Sequence, residues 1–541
     1  MILRFALAAT VSSFVASLAP QVSAQTRLYR LSETGSRVCD AGDVDADGID
    51  DLVVGETGDQ LWCGPPTYGF VRVLSGRTGA VLFTLQSTSG MGDAFGWSVA
   101  AAGDVNQDGH ADLLIGAPLW SDTPQCGRGR AYLYSGLDGT LLRTFAGTGG
   151  MANGIEWFGH SVASAGDVNG DGIPDVIIGA PYGLNYNGDA AGYARIYSGT
   201  DGSVIHTLYG NNNSDQFGFT VAGIGDVNLD GLDDVLVGTP ASHYAGGCGS
   251  VRVYSGADGL ILYFLNGTAG CIGRSAGHAG DVDLDGVSDF VCAGESNALV
   301  YSGATGTELH RFAAGPWSYE STSGAGDVNG DGHADIIVAT STGARVYSGA
   351  NGGVLYTYDV GPTGTHAVST AGDLNHDGLA DVVVAWPSGT LIDVYLSGCP
   401  VPSTYCTAKL NSLGCMPSIS SAGVLSLSVG ADDFVVRATN VRNNQNGFML
   451  WALNSTAIPF AGGTRCIDSP IFRTPAQNAG GNSGAIDCSG QYAFPFTRAY
   501  VALRGIAPGT TLYAQYWSRD PGYSPPNNIG LTNALSFVVC P

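Results

Sequence analysis

Short apolar runs that alternate with polar residues recur along most of the chain and predict β-strands rather than helices. One unit shows the whole pattern. It has a small-residue run at 159–166 (GHSVASAG), an apolar run at 175–181 (DVIIGAP), an alternating run at 192–199 (GYARIYSG) and a fourth run at 203–210 (SVIHTLYG). Alternation with a period of two over about four to eight residues is typical of strands. Each unit is therefore predicted to contain four strands, which we term A to D in chain order.

An acidic segment with a central glycine follows strand A and occurs seven times. Its first Asp recurs at intervals of 61, 63, 59, 55, 46 and 46 residues, and an apolar strand B begins directly after each copy. Four-stranded units repeated at such intervals predict a β-propeller. A solenoid is disfavoured because its end repeats should be atypical, whereas both end units here keep the complete segment. The copies are GDVDADGIDD at 42–51, GDVNQDGHAD at 103–112, GDVNGDGIPD at 166–175, GDVNLDGLDD at 225–234, GDVDLDGVSD at 280–289, GDVNGDGHAD at 326–335 and GDLNHDGLAD at 372–381.

The two ends of the repeat region complement each other. Units one to six each carry a strand D, whereas the seventh runs from its strand C (LIDVYLSG, 391–398) directly into CPVPSTYC. A strand-like run, TRLYRLSE at 26–33, precedes the first unit. We predict that this N-terminal strand completes the last blade and so removes a free sheet edge. The predicted fold is all-β: a seven-bladed β-propeller over 25–398, followed by a disulfide-bonded β-sandwich over 399–541.

The acidic segment has the spacing of a cation-binding loop. Side-chain oxygens at positions 1, 3, 5 and 9, counted from its first Asp, can converge on one ion with a main-chain carbonyl at position 7. Glycine at position 6 permits the sharp turn. Calcium takes about six to eight oxygen ligands, whereas Mg²⁺ prefers a strict octahedron with more water. An EF-hand needs a carboxylate at position 12, where these copies carry Val, Ile or Cys.

We predict up to seven Ca²⁺ sites. A single copy would also be compatible with an Asx-rich turn, but seven intact copies favour a metal site. At position 7 the ligand atom is the main-chain carbonyl, also where the residue is histidine. The predicted ligands are Asp43, Asp45, Asp47, Ile49, Asp51, Asp104, Asn106, Asp108, His110, Asp112, Asp167, Asn169, Asp171, Ile173, Asp175, Asp226, Asn228, Asp230, Leu232, Asp234, Asp281, Asp283, Asp285, Val287, Asp289, Asp327, Asn329, Asp331, His333, Asp335, Asp373, Asn375, Asp377, Leu379 and Asp381.

Three units carry further motifs around the acidic segment. Phe-Gly precedes it at 95–96, 158–159 and 217–218, and Gly-Ala-Pro or Gly-Thr-Pro follows it in the same units. These residues resemble the FG-GAP repeat of the integrin α-chain N-terminal propeller and its bacterial secreted relatives, over roughly 26–398. The resemblance implies a seven-bladed propeller with Ca²⁺ in the A–B hairpins of one face and recognition on the other. It implies adhesion or ligand binding rather than catalysis.

Long loops on one side of the predicted propeller carry aromatic residues. The B–C and D–A loops both emerge on the face opposite the A–B turns, and the B–C loops are long only in units one to four. Aromatic residues on long polar loops are typical of recognition sites for a glycan or a protein, although they can instead fill the loops and cover the channel. The predicted ligand-face residues are Trp62, Tyr68, Trp97, Trp120, Trp157, Tyr182, Tyr186 and Tyr244. Cys63, Cys126 and Cys248 lie near loop ends and are predicted to cross-link them to neighbours, Cys271 included.

The composition and the N-terminal segment limit where the protein can be located and which partners it can bind. The formal net charge of -25 argues against nucleic acid or an anionic membrane surface as a partner. Residues 1–24 have one basic residue, an apolar run and a small-residue end, so a signal peptide cleaved after Ala24 is predicted. In an exported chain, 12 Cys without a Cys-x-x-Cys pair favour disulfides over zinc. We expect a secreted or cell-surface protein without membrane insertion.

Residues 399–541 lack the acidic segment and show alternating runs that predict the β-sandwich. Six Cys predict up to three disulfides, and proximity favours a Cys406–Cys415 pair. The sequences YCTAKLNSLGC at 405–415 and YWSRDPG at 516–522 resemble a C-terminal module of secreted planctomycete-type bacterial proteins.

Two roles are open for this C-terminal region. The favoured one is a packing or attachment domain. The other is a carbohydrate-binding or cell-envelope module, because Trp517 and Tyr523 are flanked by Arg519 and Asp520.

These features predict a secreted calcium-binding FG-GAP propeller that acts in extracellular adhesion or in recognition of a glycan or protein. The alternative is a secreted polysaccharide lyase or hydrolase on a propeller scaffold. The sequence contains no recognisable nucleophile elbow, HExxH motif or His-based triad. Glu156 beside Trp157 is the candidate general acid for the alternative, but a surface glutamate is the favoured interpretation. We predict a protein that is not an enzyme.

Overall fold

The computed structural model is almost entirely β-structure, with one short helix among the described residues. The predicted signal peptide, 1–24, lies outside them. The described residues are 25–31, 37–57, 69–87, 92–122, 127–148, 155–240, 249–267, 272–294, 297–313, 321–340, 342–359, 367–375, 378–386, 391–397, 402–423, 425, 434–506 and 510–539.

The first part of the chain forms four-stranded antiparallel sheets, seven of them within the described ranges. Strand β1 (Thr26–Leu31) comes first in the chain and belongs to the last sheet. Sheets 1 to 3 contain β2 (Arg37–Gly42), β3 (Asp51–Glu56), β4 (Phe70–Leu74) and β5 (Val81–Gln86); β6 (Ser98–Gly103), β7 (Asp112–Ala117), β8 (Arg130–Tyr134) and β9 (Leu141–Ala146); and β10 (Ser161–Gly166), β11 (Asp175–Ala180), β12 (Tyr193–Tyr197) and β13 (Val204–Tyr209).

The remaining four sheets follow the same order of strands, so each sheet is one sequence unit. Sheets 4 to 7 contain β14 (Thr220–Gly225), β15 (Asp234–Thr239), β16 (Ser250–Tyr254) and β17 (Ile261–Asn266); β18 (Ile272–Gly280), β19 (Asp289–Gly294), β20 (Asn297–Tyr301) and β21 (Glu308–Ala313); β22 (Thr322–Gly326), β23 (Asp335–Thr340), β24 (Gly343–Tyr347) and β25 (Val354–Asp359); and β26 (Ala367–Gly372), β27 (Asp381–Trp386) and β28 (Leu391–Leu396), the last paired with β1.

The sheets are arranged as the blades of a propeller. Strand A of each sheet contacts strand A of the next sheet, and β26 of the last sheet contacts β2 of the first. The N-terminal strand β1 pairs antiparallel with β28, with Arg30 opposite Asp393 and Leu31 opposite Ile392. The prediction that the chain start supplies the outer strand of the last sheet is therefore confirmed.

The core lies between neighbouring sheets. Every residue of β7, β11, β15, β19, β23 and β27 is buried, because strand B is covered on both faces. Leu114 and Ile178, for example, belong to one apolar cluster that joins sheets 2 and 3. Burying such a side chain contributes about 1.5–3 kcal/mol, and the repetition of this contact stabilises the ring.

The innermost strands A carry small residues and line a central channel. Side-chain hydroxyl groups link strands A of neighbouring sheets by hydrogen bonds to the backbone, in place of the backbone–backbone bonds of a sheet. Ser98 Oγ donates to the Gly159 carbonyl (2.9 Å), and Ser161 Oγ accepts from the Val221 N–H (3.1 Å). Ser275 Oγ likewise accepts from Thr322 N–H (3.1 Å).

The C-terminal part is a two-sheet sandwich. One sheet has the order β29-β37-β36-β32-β33, with β34 on β32, and the other has the order β30-β31-β35. Side chains of both, including Val436 and Trp451, share one apolar core. The elements are β29 (Ser403–Tyr405), β30 (Ser418–Ala422), β31 (Val435–Val441), β32 (Asn446–Phe460), β33 (Gly463–Arg473), β34 (Gln477–Asn478), β35 (Gly490–Pro495), α1 (Arg498–Leu503), β36 (Thr511–Arg519) and β37 (Ile529–Val538).

Two disulfides lie among the described residues of the sandwich, and the predicted Cys406–Cys415 pair is wrong. Cys406 pairs with Cys466 and Cys415 pairs with Cys488, with Cα–Cα distances of 6.3 and 6.4 Å. The reason is strand topology: Tyr405 donates its hydroxyl to the Cys466 carbonyl (2.7 Å), which brings Cys406 beside β33. Cys63, Cys126, Cys248 and Cys271 lie outside the described residues.

Within the described ranges, no helix has the length and apolar character needed to cross a bilayer.

Candidate metal loops and ligand face

Each acidic segment closes the A–B hairpin of its sheet. The Gly before position 1 pairs with the Asp at position 9, as Gly42 does with Asp51, across a bulge in the ladder. Gly48 at position 6 has a φ of +85°, and the six corresponding glycines also have positive φ. Such a conformation is costly for a residue with a Cβ, which explains why position 6 is always Gly. The backbone thus turns sharply at position 6 between strands A and B.

The position 1 carboxylate organises the loop from inside. Asp43 accepts from the N–H groups of Asp47 (3.0 Å) and Gly48 (2.9 Å). Asp226 repeats the pattern with Asp230 (3.0 Å) and Gly231 (2.7 Å). The donated bonds turn the loop around this carboxylate. In the fifth loop the carboxylate oxygens at positions 1, 3 and 5, from Asp281, Asp283 and Asp285, lie within 4.8 Å of one another.

The position 9 carboxylate is buried and joins two hairpins. Asp175 Oδ2 accepts from the Val168 N–H (3.0 Å) inside its own loop, and its Oδ1 accepts from the Gly199 N–H (2.9 Å) at the start of the C–D turn. The same pair of bonds occurs in six sheets, at Asp51, Asp112, Asp175, Asp234, Asp289 and Asp335. In sheet 7, where no C–D turn follows strand C, Asp381 accepts from the Leu374 N–H (2.9 Å) and from the Ser397 N–H (2.6 Å), one position earlier in the pattern. Position 9 therefore fixes the loop against strands C and D.

Burial also changes the acidity of these carboxyl groups. Desolvation raises the pKa of Asp51, Asp112, Asp175, Asp234 and Asp289 to about 6, and backbone hydrogen bonds offset part of this effect. The pKa of Asp335 is raised to about 7 for the same reason. A charged carboxylate in such a place is unfavourable without a cation beside it.

In two loops, three carboxylate oxygens come close enough to bind one ion, and all the side-chain ligands of these loops are aspartates. Asp43, Asp45 and Asp51 each offer an oxygen within 4.8 Å of the others, and so do Asp281, Asp283 and Asp285. These two loops have Asp at position 3, whereas the other loops carry Asn there. The donor set is oxygen throughout, which suits a hard cation such as Ca²⁺.

Neighbouring loops are hydrogen-bonded to each other, a feature that sequence analysis missed. His110 Nδ1 donates to the Val44 carbonyl of the preceding loop (2.7 Å), and His333 Nδ1 donates to the Val282 carbonyl (2.7 Å). The N–H of Ala111 also donates to the Asp43 carbonyl (3.1 Å). The position 7 histidines thus have a side-chain role besides the predicted main-chain one.

The predicted metal residues are within the described part of the chain with one exception. Asp377 lies outside the described residues. Position 1 is half-buried, position 9 is buried, and position 5 is exposed wherever it is described.

Three of the predicted ligand-face aromatics come together. Trp157 lies between Trp97, at a ring distance of 6.3 Å, and Tyr182, at 4.8 Å with an edge-on geometry. His160 stacks on Trp157 at 5.7 Å, and Phe219 packs on His160 at 4.4 Å. We call these five residues the aromatic arc. It runs along sheets 2 to 4 at the loop end of the channel.

The other described aromatics are placed differently. Trp120 lies under the Arg130 guanidinium at 3.3 Å and packs on the core of sheets 1 and 2. Tyr186 is 78% exposed and meets Tyr209 edge-on at 6.0 Å. Trp62, Tyr68 and Tyr244 lie outside the described residues.

Glu156 is a buried anchor rather than a surface residue, which corrects the sequence interpretation. Its carboxylate accepts from the Thr148 N–H and hydroxyl (both 2.9 Å) and from the Tyr193 hydroxyl (2.9 Å). Since the group is fully buried, it holds the D–A loop against sheet 3 and so positions Trp157. This arrangement does not expose it as a general acid.

The C-terminal candidates also have structural partners. Asp520 is 1% exposed and pairs with Arg442 at 3.3 Å and with Ser412. Trp517 stacks on Phe448 at 4.7 Å. The contacts with Arg442 and Ser412 hold Asp520 inside the sandwich.

Comparison with known proteins identifies the repeat. Residues 95–134 and 158–197 match the FG-GAP repeat, and 327–384 match the FG-GAP-like repeat. The chain therefore carries FG-GAP repeats, in agreement with the Phe-Gly and Gly-Ala-Pro motifs.

Integrin α chains are among the similar proteins. Integrin alpha-5 of Xenopus laevis is 36% identical over 213 residues, which cover 36% of this chain and 19% of the relative. Integrin alpha pat-2 of Caenorhabditis elegans is 32% identical over 223 residues, covering 36% and 17%. Integrin alpha-V of Gallus gallus is 31% identical over 214 residues, covering 36% and 19%. The chain matches only about a fifth of the length of these relatives. They are integrin α chains rather than enzymes, which supports the prediction of a non-enzymatic protein.

Proposed function

We propose that this chain is an extracellular recognition protein whose propeller binds Ca²⁺ on one face and a glycan or protein ligand on the other. The observation that carries the proposal is the repeated acidic loop with its buried position 9 carboxylate, which in six of the sheets joins the A–B hairpin to the C–D turn. The similarity to integrin α chains supports an adhesive or ligand-binding role.

Calcium would be held by positions 1, 3, 5 and 9 and by the position 7 carbonyl of each loop. When bound, it supplies positive charge beside carboxylates that are otherwise buried or crowded. In loop 1, Asp43 and Asp51 would be neutralised together with Asp45. Because position 9 also holds the C–D turn, calcium binding stabilises the sheet as well as the loop.

Recognition would take place on the face of the long loops. The aromatic arc gives this face large rigid side chains, and Glu156 fixes the loop that carries Trp157. We assign 25–398 to the propeller, 399–541 to a packing or attachment module, and 1–24 to a signal peptide cleaved after Ala24. Export to the cell surface or medium agrees with calcium binding by the acidic loops. Extracellular calcium modules have dissociation constants of roughly 10⁻⁴–10⁻³ M.

The test is calorimetric titration of the chelated full chain with CaCl₂. We expect several sites, and we expect Asp226→Asn, which changes position 1 of loop 4, to remove one. Asp258→Asn is the matched control, since Asp258 is exposed in the C–D turn of the same sheet and caps the Leu260 N–H. A stoichiometry of one or none in the unmodified chain would refute the calcium assignment.

A further inference from the structure

A cavity of about 530 Å³ occupies the loop end of the central channel. All seven strands A contribute to its wall, so the ring of sheets itself forms the cavity. Its volume lies in the range of small-ligand sites, roughly 300–1,000 Å³. It therefore has room for a ligand of one or two sugar rings.

The charge of this cavity is opposite to that of the chain. Among the described residues that line it, Arg37 and Arg274 are the charged ones, and no carboxylate occurs. The chain as a whole carries 47 acidic and 22 basic residues. Two guanidinium groups on sheets 1 and 5 thus face one small space in an otherwise strongly acidic protein. Guanidinium groups bind carboxylates through paired, charge-assisted hydrogen bonds.

The aromatic arc spans the sheets between these two arginines. Arg37 lies 5.7 Å from the Trp97 ring and donates Nε–H to the Trp97 carbonyl (3.1 Å), while Arg274 lies 5.7 Å from the Phe219 ring. Trp97, His160 and Phe219 also line the cavity. Each end of the arc is thus capped by a guanidinium, and flat ring surfaces lie between two positive charges.

The lower wall is made of backbone and small hydroxyl residues. Ser161, Thr220, Ser275 and Ser369 line it on sheets 3, 4, 5 and 7. Such a wall provides short polar groups at fixed places, because the strands are tied together by Ser161 and Ser275. Polar groups of this kind suit the many hydroxyls of a sugar.

We propose that this cavity binds a glycan segment that carries uronic acids, with one carboxylate at Arg37, another at Arg274 and the sugar rings against the aromatic arc. The inference rests on the proposed recognition function and names its ligand class. A sugar is favoured over an acidic peptide because hydroxyl groups and ring faces line the cavity together.

The first experiment compares two disaccharides that differ only in the carboxylates. Digalacturonic acid and its neutral counterpart, 4-O-α-galactosyl-galactose, are titrated into the calcium-loaded full chain, with Trp fluorescence and calorimetry as readouts. We expect the acid to bind at least about tenfold more tightly than the neutral sugar and to weaken with added salt. Equal binding of both sugars, or binding of neither, would overturn the proposal.

The second experiment changes the arginines. Arg274→Gln should weaken digalacturonic acid binding about tenfold or more, whereas Arg311→Gln should leave it unchanged. Arg311 is the matched control because it lies in β21 of the same sheet and pairs with Glu308 at the outer edge. Unchanged binding in Arg274→Gln would contradict the site.

Two further outcomes separate this inference from the recognition function. Preference for tri-glutamate over digalacturonic acid would overturn the sugar assignment in favour of an acidic peptide. A glycan array can identify other ligands of the protein. A ligand whose binding is lost in Tyr186→Ala but is unchanged in Arg274→Gln would overturn the cavity site and still support the recognition function.

Discussion

Arg30 and Asp393 are 363 residues apart in sequence and form a two-pronged ion pair, with both nitrogen–oxygen distances at 2.6 Å. Asp393 is fully buried and also accepts from the Trp386 indole N–H (2.7 Å). The side-chain bonds of Arg30 and Trp386 hold the pKa of Asp393 below its usual value despite burial. This pair joins the N-terminal strand to the last sheet and so closes the ring.

Removing the arginine should open that closure. Arg30→Met leaves the Asp393 carboxylate with fewer partners, so we expect a loss of about 1–3 kcal/mol in unfolding free energy. The value stays below that of a fully buried pair because Arg30 is partly exposed. Urea unfolding of the calcium-loaded chain measures it.

Arg311→Met serves as the control for this change. Its ion pair with Glu308 is solvent-exposed and should contribute less than about 1 kcal/mol. Equal effects of the two substitutions would mean that closure does not depend on the Arg30–Asp393 pair.

The first glycine of the C–D turn is predicted to tolerate no side chain. A Cβ on Gly136 would lie 2.0 Å from the Ala111 carbonyl oxygen, and the Gly136 N–H donates to Asp112 (3.0 Å). Gly136→Ala should therefore cost about 3 kcal/mol or more in stability. Gly92→Ala, where no atom lies within 4 Å of the added carbon, should change it by less than about 0.5 kcal/mol.

These two contacts show how far the sequence predicts the fold. The seven repeats, the four strands per unit and the N-terminal closing strand follow from periodicity, because each unit repeats the same local pattern. A Ser-Gly pair follows strand C in units one to six and indicates the C–D turn. The reason for this pair is the hydrogen bond from the glycine N–H to position 9, which depends on packing between distant strands and is not evident from the local sequence. Asp393 likewise looks like an ordinary strand residue in the sequence. Its role as the partner of Arg30 becomes evident only when β1 pairs with β28.

Part of the candidate site could be predicted from the sequence and part could not. The loop residues could be predicted because one short segment contains all of their oxygens. Arg37 and Arg274 could not, since they are 237 positions apart in sequence and line one cavity only when the ring closes. The Cys406–Cys466 pairing was missed for the same reason: strand order, not sequence distance, brings the two together.

Calcium removal should destabilise the protein in a pH-dependent way. Without metal, the position 9 carboxyls have pKa values raised to about 6 or 7, above the usual value near 4 of the unfolded chain. The metal-free fold therefore binds more protons than the unfolded chain in this window, and these groups make it more stable as pH falls from about 7 to 4. The calcium-loaded fold loses its metal over the same window, since protons compete with Ca²⁺.

We therefore expect the difference in Tm between calcium-loaded and chelated protein to be large at pH 7.5 and to shrink towards pH 5. Differential scanning calorimetry at both pH values measures it. Asp258→Asn is the control, because Asp258 lies outside the loops and its replacement should leave the difference intact. A Tm difference that is the same at both pH values would argue against ions beside the position 9 carboxylates.

His160 should give the calcium-loaded protein a separate acid sensitivity. Desolvation lowers the pKa of its imidazole to about 4, with the positive charge of Arg37 acting in the same direction and the Phe219 carbonyl opposing it. The unfolded chain takes up the proton near pH 6.5, so stability is full above that pH and is lost as pH falls towards 4. The loss should reach on the order of 3 kcal/mol, and in His160→Gln this part of the pH profile should be absent. Urea unfolding between pH 7.5 and 4.5 measures both chains in saturating calcium. Profiles that run parallel would show that the folded chain protonates His160 as readily as the unfolded one.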